Sequence, residues 1–257
     1  MTDEQAPILD FDPRTASIIE PGALHPKIDG LPHRCVITWM GDAFARFESS
    51  HDLVERYRFT LESIRNPIYE YEVDGEKILM TMANVGAPAA AALFEVLIAL
   101  GCSEFIAIGS SGGLVAAHAP GTVVIPEAAI RDEGVSYHYA APATLAHPDP
   151  EMQTIVHDAY RAAGNHVARG IAWTTDAFYR ETSAKVAQRV SQGAIAVDME
   201  LASLAAVASF RNVRLGHALY LADTLHRDQW DPSELVDCDT TFRYELLLTA
   251  TRACATL

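Results

Sequence analysis

Short, wholly apolar runs alternate along this chain with longer apolar segments of helical character, and turn residues stand between them. Cys35-Val-Ile-Thr-Trp-Met40 reads as a strand that ends at Gly41-Asp42. Tyr69–Val73 and Lys77–Met82 flank Asp74-Gly75, a dipeptide suited to positive φ, and read as a hairpin. Pro88–Leu100 is a strongly apolar helix, with Pro88 in its first turn and Gly101 as its C-cap. Glu104–Gly109 is a strand running into the turn Ser110-Ser111-Gly112-Gly113, and Gly121–Pro126 is another strand. Pro150–Ala163 is a helix stopped by Gly164, and His166–Thr174 extends again. Gly193–Asp198 is small and apolar, as a strand buried on both faces should be, and Leu201–Phe210 follows as an equally apolar helix. Arg214–Leu221 is a strand reaching Ala222-Asp223, and Thr240–Ala255 is a closing helix.

This alternation predicts the α/β class: a single-domain, three-layer α/β/α architecture around a central mixed β-sheet. Residues 1–33 carry five prolines and no sustained periodicity, so they read as an extended N-terminal arm lying over the domain or over a neighbouring subunit. The folded domain then occupies residues 34–257.

Composition narrows the partners. A formal net charge of −15 over 257 residues repels phosphate backbones and anionic membrane surfaces, and no Lys/Arg run offsets it, so nucleic acid and membrane are disfavoured. An anionic substrate would need local positive potential from helix N-termini, backbone N–H groups or a few arginines. Cys35, Cys102, Cys238 and Cys254 have no C-x-x-C spacing and read as buried thiols of a reducing compartment. The acidic N-terminus lacks an apolar leader and no stretch has membrane-spanning length, so a cytoplasmic location is expected. None of the ten histidines forms an H-x-x-x-H pair, and no metal is expected.

Chemistry gathers at four strand ends: Gly41-Asp42, Gly109–Gly113, Met199-Glu200 and Asp223. Ligands of open α/β sheets bind where strands end and helices begin. Glu200 there either points a carboxylate into a cleft or complements the N-terminal dipole of its helix. The glycine-serine turn can offer backbone N–H groups and two hydroxyls to an anion.

Together these segments resemble the nucleoside phosphorylase family, which includes purine nucleoside and uridine phosphorylases and related nucleosidases. The likeness covers roughly residues 35–225 and rests on Gly41-Asp42, Asn84-Val-Gly-Ala-Pro88, Ile108-Gly-Ser-Ser-Gly-Gly-Leu114, Thr175-Asp-Ala-Phe-Tyr179, Asp198-Met-Glu200 and Ala222-Asp223-Thr224. The resemblance implies a pentosyltransferase without a cofactor, using inorganic phosphate as co-substrate and assembling as a homo-oligomer from dimer to hexamer. It assigns Glu200 to the ribose hydroxyls, Met199 to packing beneath the sugar, and Phe178 to stacking against the base, with Tyr179 and Arg180 beside it. Asp223 matches the position that protonates a departing purine; the competing reading is the N-cap of a short helix over 223–226. His25 falls in the arm, where family members lend a histidine to a neighbouring subunit's sugar site.

The chain departs from the family at the anion. Phosphorylases place one arginine four residues after the first glycine and another just before the serine-containing loop, where this chain has Ala45 and Ala107. Gly41, Ser110 and Ser111, with Arg46 and Arg131 supplying charge, are then the candidate phosphate ligands. Thr182 and Ala184 replace the Gln and Arg with which uridine-specific members read uracil, and Asp223 turns the expectation to a purine nucleoside. Phosphorolysis leads; hydrolysis of the same bond and non-catalytic nucleoside binding are the alternatives.

Overall fold

The computed structural model describes residues 6–226, 230–232 and 240–257. The expected site residues all fall within it, and Cys238 lies outside it. In chain order the elements are α1 (Pro21–Leu24), β1 (Arg34–Thr38), α2 (Gly41–Ser50), β2 (Val54–Thr60), β3 (Arg65–Val73), β4 (Glu76–Met82) and α3 (Ala87–Leu100). There follow β5 (Glu104–Gly113), β6 (Val123–Asp132), α4 (Ser136–Tyr139), β7 (Leu145–Ala146), α5 (Pro150–Ala162), β8 (Val167–Thr175) and α6 (Ser183–Ser191). The chain continues through β9 (Ala194–Asp198), α7 (Leu201–Arg211), β10 (Arg214–Thr224) and α8 (Thr240–Ala255).

The strands form one mixed sheet in the order β10-β6-β8-β9-β5-β1-β4-β3-β2, with β7 beside β6 and an added pairing of β10 with β5. That added pairing runs parallel from Arg214↔Glu104 to Thr224↔Gly113 and curls the sheet back on itself. The single-domain α/β reading with a mixed sheet is borne out. Strand alternation sorts the two cores. Val36, Ile106, Ile108, Ala218 and Tyr220 pack with Phe44, Phe47, Met152, Val156, Tyr160 and Leu247 of α2, α5 and α8. Cys35, Ile37, Phe105 and Ala107 point the other way, onto Phe94 and Leu97 of α3 and Leu204 and Val207 of α7. The Asp74-Gly75 hairpin forms as expected, with φ of 54° and 85° at the two residues.

Three local expectations are corrected. Ser110–Gly113 is not a turn but the second half of β5, its backbone paired with β10 and β9. The glycines there serve close approach: a Cβ at Gly112 would stand 2.5 Å from Leu225 Cδ1, and one at Gly109 would stand 3.2 Å from Trp39 Cε3. Asp223 caps no helix start, because β10 continues through Thr224. The helices α2 and α6 and the strand β2 carry no long apolar run; α2 is held by burying Phe44 and Phe47. In the arm, α1 and a single 3₁₀ turn over Pro7–Leu9 are the helical pieces among the described residues.

Helix α5 sits hard against β10, since a Cβ at Gly216 would meet Val156 Cγ2 at 2.7 Å and the Met152 carbonyl at 3.2 Å. Gly216→Ala is therefore expected to lower stability by about 1–3 kcal/mol through overpacking. Gly22→Ala, where nothing lies within 4 Å, should stay within about 0.5 kcal/mol. Urea unfolding of both variants beside the parent checks this; equal midpoints would contradict it.

Candidate functional site

The carboxyl ends of β1, β5, β8, β9 and β10 surround a cleft of about 560 Å³ lined by Trp39, Ser110, Phe178, Glu181, Met199, Glu200, His217 and Asp223 among others. Its base is built at the junction of β9 and α7. Asp198 Oδ2 accepts the backbone N–H groups of Glu200 at 3.0 Å and Leu201 at 2.6 Å, satisfying the first free donors of α7. Its Oδ1 accepts the Thr174 hydroxyl at 2.6 Å, and the Thr174 oxygen in turn accepts the Ala202 N–H at 3.0 Å. Burial pushes the Asp198 carboxyl up while these three bonds pull it down.

Because Asp198 does the capping, Glu200 is released from it. Its side chain, 7% exposed, turns to Gly86, whose N–H it accepts at 2.6 Å. Gly86 has φ of 101°, a conformation that glycine adopts without strain, and its N–H stands just before α3. Glu200 is pushed up to about 8, chiefly by burial and then by the neighbouring Asp198 charge. The Asn84–Pro88 and Asp198–Glu200 motifs are thus two halves of one contact. Met199 lines the cleft beside it.

At the other end stands Asp223. Burial raises its carboxyl, and the Trp230 indole N–H, donating to Oδ2 at 2.6 Å, opposes that rise. Phe178 and Tyr179 lie on a 3₁₀ turn, ring centroids 4.1 Å apart, and both line the cleft. Ser110 and Ser111 both line it; Ser110 is exposed, and the hydroxyl of the buried Ser111 donates to the Tyr220 carbonyl at 3.1 Å.

The structure does not bring Gly41, Arg46, Arg131, Arg180 or His25 to this cleft. Gly41 is the first residue of α2. The Arg46 guanidinium lies over the Tyr244 ring, 4.1 Å from its centroid. Arg131 is buried and spent on its own loop, donating to Ser136 Oγ at 2.8 Å and to the Ala141 and Ala140 carbonyls at 2.8 and 3.1 Å. Arg180 is exposed. His25 Nδ1 pairs with the Tyr57 hydroxyl at 2.8 Å, and its ring meets Tyr57 and Phe59 edge-on. Among the described lining residues there is no lysine or arginine, while Glu181, Asp198, Glu200 and Asp223 are all acidic.

Two lining residues escaped the sequence reading. His217 is 1% exposed, stacked on Trp39 with centroids 5.8 Å apart and planes 5° apart, and burial depresses its imidazole to about 3. Its Nδ1 has no hydrogen-bond partner among the described residues. The signal available was a single histidine inside the apolar run Leu215–Leu221, which periodicity alone assigns to packing. Among the described residues no group of three His, Cys, Asp or Glu side chains is arranged to hold a metal ion, and no helix is long and apolar enough to cross a membrane.

A family model described as the phosphorylase superfamily matches residues 33–253. A guanosine phosphorylase of Halorubrum lacusprofundi is 26% identical over 171 residues, spanning 66% of this chain and 71% of its own. A uridine phosphorylase of Treponema pallidum is 34% identical over 147 residues, spanning 53% of this chain and only 57% of its own. The crystal structure of uridine phosphorylase from Vibrio fischeri superposes with a TM-score of 0.74 at 20% identity, covering 91% of this chain and 96% of that one. The chain belongs to the phosphorylase superfamily, the family of the nucleoside phosphorylases, which are pentosyltransferases.

Proposed function

We propose that this chain cleaves the N-glycosidic bond of a purine-type nucleoside. The observation that carries the reading is the pair of carboxyls, the buried Glu200 and the half-buried Asp223, lining one cleft with their proton affinities raised. As the bond from C1′ to N9 breaks, its electron pair passes to the base and positive charge develops on the sugar. Asp223 donates its proton to N7, so the base departs neutral. Glu200 holds the ribose hydroxyls by hydrogen bonds, Met199 packs under the sugar, and Phe178 stacks on the base. In the leading reading an oxygen of inorganic phosphate then bonds to C1′, giving free base and pentose 1-phosphate without a cofactor, the type of reaction named for the guanosine and uridine phosphorylases.

One observation favours a second reading, hydrolysis. Arg46 and Arg131 are engaged away from the cleft, and Ala45 and Ala107 stand where the family's arginines are expected. Water as acceptor needs no countercharge. The protein works as a homo-oligomer in this proposal, with the exposed Ile18, Ile19 and Leu24 of the arm packing on a second copy and His25 reaching its sugar site.

Three outcomes are expected. Product chromatography of purine nucleosides with and without phosphate should give base plus pentose 1-phosphate only when phosphate is present. Base plus free pentose in its absence establishes hydrolysis, and tight nucleoside binding without released base sinks the catalytic reading. Asp223→Asn should slow adenosine or inosine cleavage by about 10²–10⁴-fold while sparing 7-methylguanosine, whose base already carries the charge that N7 protonation supplies. Equal losses on both substrates would remove Asp223 from the role of acid.

Glu200 yields a signed pH prediction. Its carboxyl is raised from an ordinary 4.5 to about 8 in the fold, so the folded chain keeps a proton that the unfolded chain releases. Stability contributed by this group is full below pH 4.5 and falls until about pH 8, after which the penalty is constant. Glu200→Gln should therefore gain a few kcal/mol over the parent at pH 9 and nothing at pH 4. At pH 9, where the parent's Glu200 is ionised, the variant's kcat/KM should fall about a hundredfold as the charged ribose contacts vanish. Urea midpoints at the two pH values and steady-state kinetics check both; a variant less stable at pH 9 would contradict the assignment.

A further inference from the structure

We propose that Glu181 is the second member of a base-reading pair with Asp223, selecting a purine whose edge presents an acceptor beside a donor, as N7 and the 6-amino group of a 6-aminopurine do. The proposal rests on the reading of Asp223 as the group at N7 and adds a specificity role for a residue outside every motif that carries the family likeness.

The placement of Glu181 is fixed by backbone bonds on both sides. Its own N–H closes the 3₁₀ turn onto the Phe178 carbonyl at 3.2 Å, and the next residue, Thr182, caps α6 by accepting the Lys185 N–H at 3.4 Å. Glu181 is thereby set two residues after Tyr179 of the aromatic pair, half-buried in the cleft wall. Its carboxyl makes no hydrogen bond to any described residue, so its donor and acceptor capacity is open to a ligand. Across the same end of the cleft, Trp230 occupies Asp223 Oδ2, and Oδ1 carries no hydrogen bond of its own among the described residues. The buried His217 also lines this cleft, stacked on Trp39, with no hydrogen-bond partner for its Nδ1 among the described residues.

Two carboxyls near each other in an apolar cleft without a lining cation do not both ionise; they titrate as a pair that holds one proton near neutrality. Consistently, burial first and the Asp223 charge second push Glu181 up to about 7. The other titratable groups lining this space are Asp198 and Glu200 from the β9–α7 junction and His217 from β10, with Tyr179 on the turn before Glu181. A pair with one proton offers one O–H donor and one acceptor. N7 and a 6-amino group answer it, whereas N7 and the 6-oxo group of hypoxanthine are both acceptors and require two protons on the pair. Selectivity is therefore tied to pH. The 6-amino to 6-oxo preference rises as the second proton leaves Glu181 on passing from acid to neutral pH.

The test compares kcat/KM for adenosine and inosine between pH 5.5 and 8 in the parent and in Glu181→Gln. It is accompanied by calorimetric binding of adenine and hypoxanthine to both proteins. The parent's adenosine-to-inosine ratio is expected to rise about tenfold across that range, and Glu181→Gln, whose amide exchanges no proton, should hold the ratio within about twofold. A parent preference for inosine at every pH, or an unchanged pH dependence in the variant, overturns the proposal. If neither nucleoside is cleaved, the catalytic reading fails by itself. The adenine-to-hypoxanthine binding ratio then still decides the role of Glu181, supporting it if the ratio rises with pH in the parent alone and overturning it otherwise.

Discussion

The site depends on one buried carboxyl whose two oxygens are both engaged within the protein. Asp198 binds β8 through Thr174 and caps α7 through two backbone N–H groups, and so fastens the start of α7 to the paired strands β8 and β9. A helix N-terminus buried against a sheet leaves donors that water cannot reach, and leaving one unpaired costs about 1–3 kcal/mol. With Asp198 meeting that need, Glu200 is free to serve a ligand. Its N–H is held by Asp198 and its Oε1 by Gly86, so the carboxyl is aimed before any sugar arrives. Pre-aimed charge is what makes an electrostatic contact useful to a reaction, since nothing has to reorganise when charge develops.

Most of this was legible in the sequence because burial and local chemistry point the same way. The runs at 104–109, 193–198 and 214–221 are short and apolar, which only a two-sided buried strand requires, and each is a strand. Met199-Glu200 and Asp223 stand at strand ends and line the cleft, as their positions implied. What failed to read was whatever depended on partners distant in sequence. Glycine and serine at 110–113 look like a turn locally. They are strand because β10 and β9 pair with them, and the glycines make room for Leu225, Val197 and Trp39. An arginine's destination is equally nonlocal: Arg131 is drawn into three contacts of its own loop, and Arg46 onto the Tyr244 ring of α8. His217 was invisible because a histidine in an apolar strand has no periodic signature, and only the pairing of β1 and β10 with the two sides of β5 brings it onto Trp39.

The balance of charge in the cleft bears on what its transition state can be. Four acidic side chains and no basic one line the described wall, in surroundings dry enough to raise the carboxyls and to depress a histidine to about 3. Such a site is unfavourable while empty, because burying carboxylates without countercharge is costly. The cost falls when something positive, or something rich in donors, enters. A ribose with its hydroxyls meets Glu200, and the partial positive charge on C1′ and the ring oxygen at bond cleavage is the countercharge the cleft lacks. An incoming phosphate has the opposite relation to this wall, and its binding has to draw on backbone N–H groups or on cations beyond the described lining. In the proposed reaction the burial that raises Asp223 also favours its protonated form, so the acid at the base and the field at the sugar cation would share one physical origin.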